Sequence, residues 1–210
     1  MVVRNFLIPL FIWLLALISL TFLKLFGKWD LSGIAALIFF LIIPSFLEKS
    51  NEALGLKFIW KDNVFVFIAS FIFFAIPYLI IFIAGGIQIP YVLDLQPRIP
   101  DLITLKWFGI FLIGVAFPEE FFFRGFLQGR LNLFFGKEFR FFGISFGWGL
   151  ILSSLLFMLI HLPQGLGVVR FLTFFPGLLF GIIREKYGSI FPAVIVHAFS
   201  NTFMILVGDL

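Results

Sequence analysis

Cysteine is absent from this chain of 210 residues, which excludes disulfides, a thiolate metal site and a cysteine nucleophile. Charge is scarce: 12% of residues are Asp, Glu, Lys or Arg, against about 25% in an average soluble domain. Histidine occurs only at His161 and His197. No G-x-S-x-G elbow prepares a serine nucleophile, and no H-E-x-x-H motif prepares a zinc protease helix. No internal repeat stands out, whereas transporters built from two related halves usually show one.

Apolar residues fill the space. They make up 62% of the chain, with 35 phenylalanines and a mean hydropathy of +1.17. A soluble domain of this size needs more polar surface than that, so the expectation is an all-α, polytopic membrane helical bundle. At ~20 residues per crossing, the length leaves room for about seven transmembrane helices. Candidate spans are Phe6–Leu25, Leu31–Leu47, Val64–Ile83, Leu102–Phe135, Gly143–Leu162, Val168–Ile183 and Ile190–Val207. The first is too long for a signal-peptide core and lacks a small-x-small cleavage site, so it reads as an uncleaved span. One integral membrane domain, 1–210, is the simplest organisation, with N-terminal helices over 1–101 and a core over 102–207.

The net charge of +4 is not a nucleic-acid signal, because the basic residues lie in short loops between apolar runs, where they set topology. Seven spans put nine on the N-terminal side (Arg4, Lys49, Lys57, Lys61, Arg130, Lys137, Arg140, Arg184, Lys186). Five fall on the other (Lys24, Lys28, Arg98, Lys106, Arg170), with Arg124 set aside as intramembrane. The excess predicts a cytoplasmic N-terminus in a cell membrane.

Against this background Pro118-Glu119-Glu120-Phe121-Phe122-Phe123-Arg124 is conspicuous. A charged residue at the centre of a span costs roughly 2.5–3.5 kcal/mol on insertion scales. Glu120 and Arg124 are four apart and share a helix face, which suits an ion pair. Glu119 is turned about 100° away. Pro118 would leave a backbone carbonyl without its donor just before the acids. The midpoint of Glu119 and His161 is position 140, within the polar connection Gly136–Arg140. A helical hairpin turning there brings carboxylate and imidazole to equal depth, where they can hold a water and take its proton. His197 and Asn201, also four apart, can both donate toward a developing oxyanion. Each piece has a plainer reading: a structural Glu–Arg pair, a histidine bonded to a neighbour, polar glue between helices. Glycines and serines over Gly143–Ser154 read as close helix packing.

Taken together, Glu119-Glu120-x-x-x-Arg124, Phe157-x-x-x-His161 and His197-x-x-x-Asn201 resemble the type II CAAX prenyl endopeptidase family, also called CPBP or Abi. The resemblance covers about Leu102 to Val207, and Ala53-Leu54-Gly55-Leu56 also looks like a family feature. It implies an all-helical intramembrane protease of glutamate type. Glu119 would be the general base on a water also held by His161. His197 and Asn201 would form the oxyanion hole, and Glu120 with Arg124 would support the site. No cofactor is implied, although His161, His197 and Glu119 could supply zinc with two histidines and a carboxylate. The expected partners are the bilayer and a peptide or protein presented at the membrane, with or without a lipid anchor. The alternatives are a zinc-dependent protease on the same residues, a proton-coupled transporter, and a non-catalytic peptide-binding or bacteriocin-immunity protein.

Overall fold

The computed structural model describes residues 3–89, 93–164 and 168–208. Within them the apolar runs are helices: α1 (Arg4–Leu25), α2 (Asp30–Leu47), α3 (Trp60–Ile83), α4 (Leu102–Phe135), α5 (Trp148–His161), α6 (Val168–Leu172), α7 (Phe174–Tyr187) and α8 (Phe191–Val207). Helices α1 to α4 are long and apolar enough to cross a membrane, and α5 and α8 are shorter apolar helices. The chain is an all-α integral membrane protein with four long apolar helices among the described residues. Parts of two expected connections, residues 90–92 and 165–167, lie outside them.

Local chemistry explains the boundaries. Asp101 caps α4 in a reciprocal box: the Thr104 amide donates to Asp101 Oδ1 at 2.8 Å, and the Asp101 amide donates to Thr104 Oγ1 at 3.2 Å. Gly136, at φ 79°, ends the helix. In between, the helical run passes through Pro118, flanked by widened turns over Phe111–Ala116 and Phe121–Leu127. Such widening is a common response where the hydrogen-bond ladder lacks a donor.

Three spans differ from expectation. Helix α3 starts at Trp60 rather than Val64, after an extended Ile59. Residues from Gly143 do not join α5 directly. Short strands β1 (Ile87–Ile89) and β2 (Leu93–Leu95) pair earlier in the chain, and β3 (Phe139–Phe141) and β4 (Ile144–Phe146) form a second hairpin before α5. Its two-residue turn, Phe142-Gly143, has φ of 46° and 79°, the left-handed pair that suits the strand twist. The expected span Val168–Ile183 is broken at Thr173, because Pro176 fits the first turn of a helix but not its interior.

By internal packing the chain forms two compact units, Met1–Lys57 with Pro118–Ile190, and Phe58–Phe117 with Phe191–Leu210. In the first, the buried Phe122, Phe123, Phe126, Leu127 and Leu131 of α4 make the core. Phe40 of α2 stacks on Phe122 at 5.2 Å, and Phe157 of α5 meets Phe123 edge-on at 5.2 Å. Small residues let backbones approach: Gly149 lies against Asn132, and Gly177 against Ser154 and Phe157. In the second unit, α8 packs along α3, with Phe199 against Phe67 at 5.0 Å, and Ala116, Val194 and Ala198 form a small core.

The Ala53-Leu54-Gly55 loop is seated directly on α4. A Cβ on Gly125 would stand 2.8 Å from the Leu54 carbonyl oxygen, and one on Gly129 3.1 Å from that of Ala53. The loop is held from its far side as well, since the Ile190 amide donates to Gly55 O at 3.0 Å and Arg184 Nη2 to Ala53 O at 3.3 Å. Gly125→Ala should therefore cost roughly 1–3 kcal/mol by overpacking. A thermal melt of the purified variant in detergent checks this; an unchanged Tm would show that the loop gives way easily.

Candidate active site

Glu119 and His161 belong to the first unit, on α4 and on the last turn of α5. The register between these helices follows paired contacts: Gly136 with Gly147, Asn132 with Gly149, Gln128 with Ser153, and Phe123 with Phe157. All of these bracket positions 140–142, and Glu119 with His161 brackets 140. The two side chains thus reach equal depth, with Glu119 Oε2 4.0 Å from His161 Nε2. The β3–β4 hairpin lengthens the connection without shifting the register, because it adds residues evenly to both arms.

At 4.0 Å the two groups are too far apart for a direct hydrogen bond and close enough for a water to bridge them. Both keep contact with solvent, Glu119 at 17% and His161 at 15% side-chain exposure. The other ring nitrogen, Nδ1, lies 2.7 Å from the Phe157 carbonyl oxygen. A carbonyl only accepts, so Nδ1 carries the proton in neutral imidazole, and Nε2 presents its lone pair toward Glu119.

Glu120 and Arg124 are wholly buried, with Arg124 Nε 3.2 Å from Glu120 Oε2. Arg124 Nη2 also donates to the Gly177 carbonyl oxygen at 3.2 Å. The guanidinium lies 4.5 Å from the Phe157 ring centroid and 5.6 Å from that of Phe180. Phe157 in turn packs on the His161 ring at 4.7 Å. An unbroken set of contacts therefore runs from Glu120 through Arg124 and Phe157 to His161.

His197 and Asn201 lie in the second unit, one turn apart on α8, with His197 buried and Asn201 half-buried. Glu119 and His161 supply two donors at one place. Among the described residues no three His, Asp or Glu side chains gather as a metal-ligand set.

Sequence reasoning missed Glu185, which reads as part of the polar connection after α7. Its side chain is fully buried. Oε1 accepts from Gln128 Nε2 at 2.6 Å and Asn132 Nδ2 at 2.7 Å, and Oε2 pairs with Lys137. This network ties α4 to α7 two turns beyond the Arg124–Gly177 bond. The available signal was the spacing of Gly177, Gly181 and Glu185, four apart on one helix face.

No curated protein and no solved structure matches the chain. A family model does: the one described as type II CAAX prenyl endopeptidase Rce1-like matches residues 101–203, a stretch that holds Glu119, Glu120, Arg124, His161, His197 and Asn201. This match supports assigning the chain to the type II CAAX prenyl endopeptidase family, within the CPBP/Abi group.

Proposed function

We propose that the protein is an intramembrane endopeptidase that hydrolyses peptide bonds of membrane-presented substrates with a glutamate-activated water. The observation that carries this reading is the 4.0 Å gap between Glu119 Oε2 and His161 Nε2, with Nδ1 held by the Phe157 carbonyl. A water in the gap donates one hydrogen to Glu119 and the other to Nε2. As it attacks the scissile carbonyl, its proton passes to Glu119 and a C–O bond forms. His197 and Asn201 donate to the resulting oxyanion, the role the family resemblance implies for two donors on one face of α8. Collapse of the intermediate breaks the C–N bond, and Glu119 returns its proton to the leaving amine.

Glu120 and Arg124 hold the site rather than react. Their buried pair leaves α4 and α7 joined and keeps Phe157, and through it His161, in place. The substrates are peptides or proteins at the bilayer, with or without a lipid anchor, and no step requires a metal. The protein sits in the cell membrane with its N-terminus cytoplasmic, as the nine-to-five distribution of basic residues favours.

The deciding experiment is cleavage of a membrane-presented peptide library by the purified protein, wild type beside Glu119→Gln, with and without a strong zinc chelator. The expected result is cleavage that falls by roughly 10²–10⁴-fold in the variant and is untouched by the chelator. Full activity of Glu119→Gln would end this mechanism, and loss on chelation with rescue by zinc would replace it with a metal-dependent one. A second variant separates support from chemistry. Arg124→Ala strands a buried carboxylate, so it should lose about 3–5 kcal/mol of stability together with rate. An unchanged Tm would remove the supporting role.

A further inference from the structure

The β3–β4 hairpin joins the two helices that carry Glu119 and His161, and it projects from one end of the first unit. Polar and aromatic contacts fix the level of that end. Arg130 Nη1 donates to Asn5 Oδ1 at 3.2 Å and Phe6 stacks on Phe134 at 5.1 Å, so the start of α1 lies beside the end of α4. Arg130 Nη2 donates to the Leu47 carbonyl oxygen at 3.2 Å and pairs with Glu48, which brings the end of α2 to the same level. Lys137 pairs with Glu185, which adds the last turn of α7. Where several apolar spans start and stop together, the hydrocarbon ends. The hairpin therefore springs from the boundary between bilayer and water.

The hairpin has two unlike faces, because side chains alternate along a strand. Phe139 and Phe141 of β3 share one face with their cross-strand partners Phe146 and Ile144, while Arg140 shares the other with Ser145. Phe139 meets Phe146 at 5.6 Å and Trp148, on the first turn of α5, edge-on at 5.7 Å. The apolar face thus continues the outward face of α5, where Trp148 and Leu155 are both exposed. At the tip, Phe141 is 61% and Phe142 89% exposed, with their rings 4.5 Å apart. Phe142 also holds a φ of 46°, which a bulky side chain adopts less easily than Asn or Gly. A phenylalanine at this position gains nothing from water. Arg140 is exposed as well, and its cross-strand neighbour is a serine rather than an acid.

We propose that the hairpin is a bilayer anchor: Phe141 and Phe142 dip into the boundary between headgroups and acyl chains, and Arg140 binds an anionic lipid headgroup. Aromatic rings beside a cation are the composition that the headgroup layer accepts. A guanidinium meets a phosphate through charge-assisted hydrogen bonds, the strong kind. Strands of three residues offer too short an edge to recruit a second copy by pairing. The anchor is independent of the chemistry at Glu119 and stands or falls separately from the protease reading.

Because the chain lacks cysteine, Phe142→Cys or Ser145→Cys takes a single nitroxide label. The whole labelled protein is placed in nanodiscs of phosphatidylcholine with increasing phosphatidylglycerol. Collisions of the label with oxygen and with a water-soluble nickel chelate are then measured by electron paramagnetic resonance. The label at 142 should meet oxygen and be shielded from nickel, whereas the label at 145 should meet nickel. Shielding at 142 should grow with phosphatidylglycerol, and Arg140→Gln should raise the amount needed for half the effect about fivefold. Arg140→Lys, which keeps the charge, should retain the response. Arg140 and Phe142 are both exposed, so these substitutions leave the core intact. Equal nickel collisions at 142 and 145 would leave the tip in water and overturn the anchor. Shielding from both reagents would mean that protein covers the tip, which overturns it too. Shielding that ignores phosphatidylglycerol, or that Arg140→Gln leaves unchanged, would overturn the headgroup contact.

Discussion

The buried pair of Glu120 and Arg124 is the constraint around which the first unit is built. Two opposite charges with no exposed side-chain surface must satisfy each other and their remaining hydrogen-bonding groups inside the protein. Arginine suits this task better than lysine. Its planar group can face a carboxylate along one edge, reach the Gly177 carbonyl with another nitrogen, and lie against the Phe157 and Phe180 rings. Glu120 lies on the same helix as Arg124, whereas Gly177, Phe180 and Phe157 sit on other helices. Satisfying one residue therefore fixes α4, α5 and α7 together.

Those same contacts reach the chemistry through Phe157. Its ring is pressed between Arg124 and His161, and its carbonyl decides which imidazole nitrogen carries the proton. The spacing of four between Phe157 and His161 makes both possible at once, because residues i and i+4 are stacked along a helix face. The pair behind the site and the imidazole in it are thus parts of one packing arrangement.

Much of this was legible in the sequence. The bounds of α4 came from its apolar run, and the equal depth of Glu119 and His161 came from counting about position 140. That count assumed helix right up to the turn, and the structure instead inserts the β3–β4 hairpin. It succeeded because the insertion is symmetric, which no apolar pattern reveals. Glu185 was hidden by Arg184 and Lys186 beside it, which make a buried carboxylate look like part of a charged loop. The break at Thr173 was signalled by Pro176, but apolar composition outweighed it.

The adjacency of the two glutamates follows from the same electrostatics. Side by side in an apolar span, two carboxylates repel each other. Arg124 interacts with both, which offsets that repulsion from a single position. The 100° turn between them then divides their surroundings. Glu120 faces the interior and is closed in by the pair, whereas Glu119 keeps about a sixth of its side chain exposed and faces an imidazole 4.0 Å away. A base in a membrane needs water within reach and a nearby cation, and neither alone suffices. In the proposed mechanism the first glutamate meets the water. The second keeps the arginine where it serves both acids.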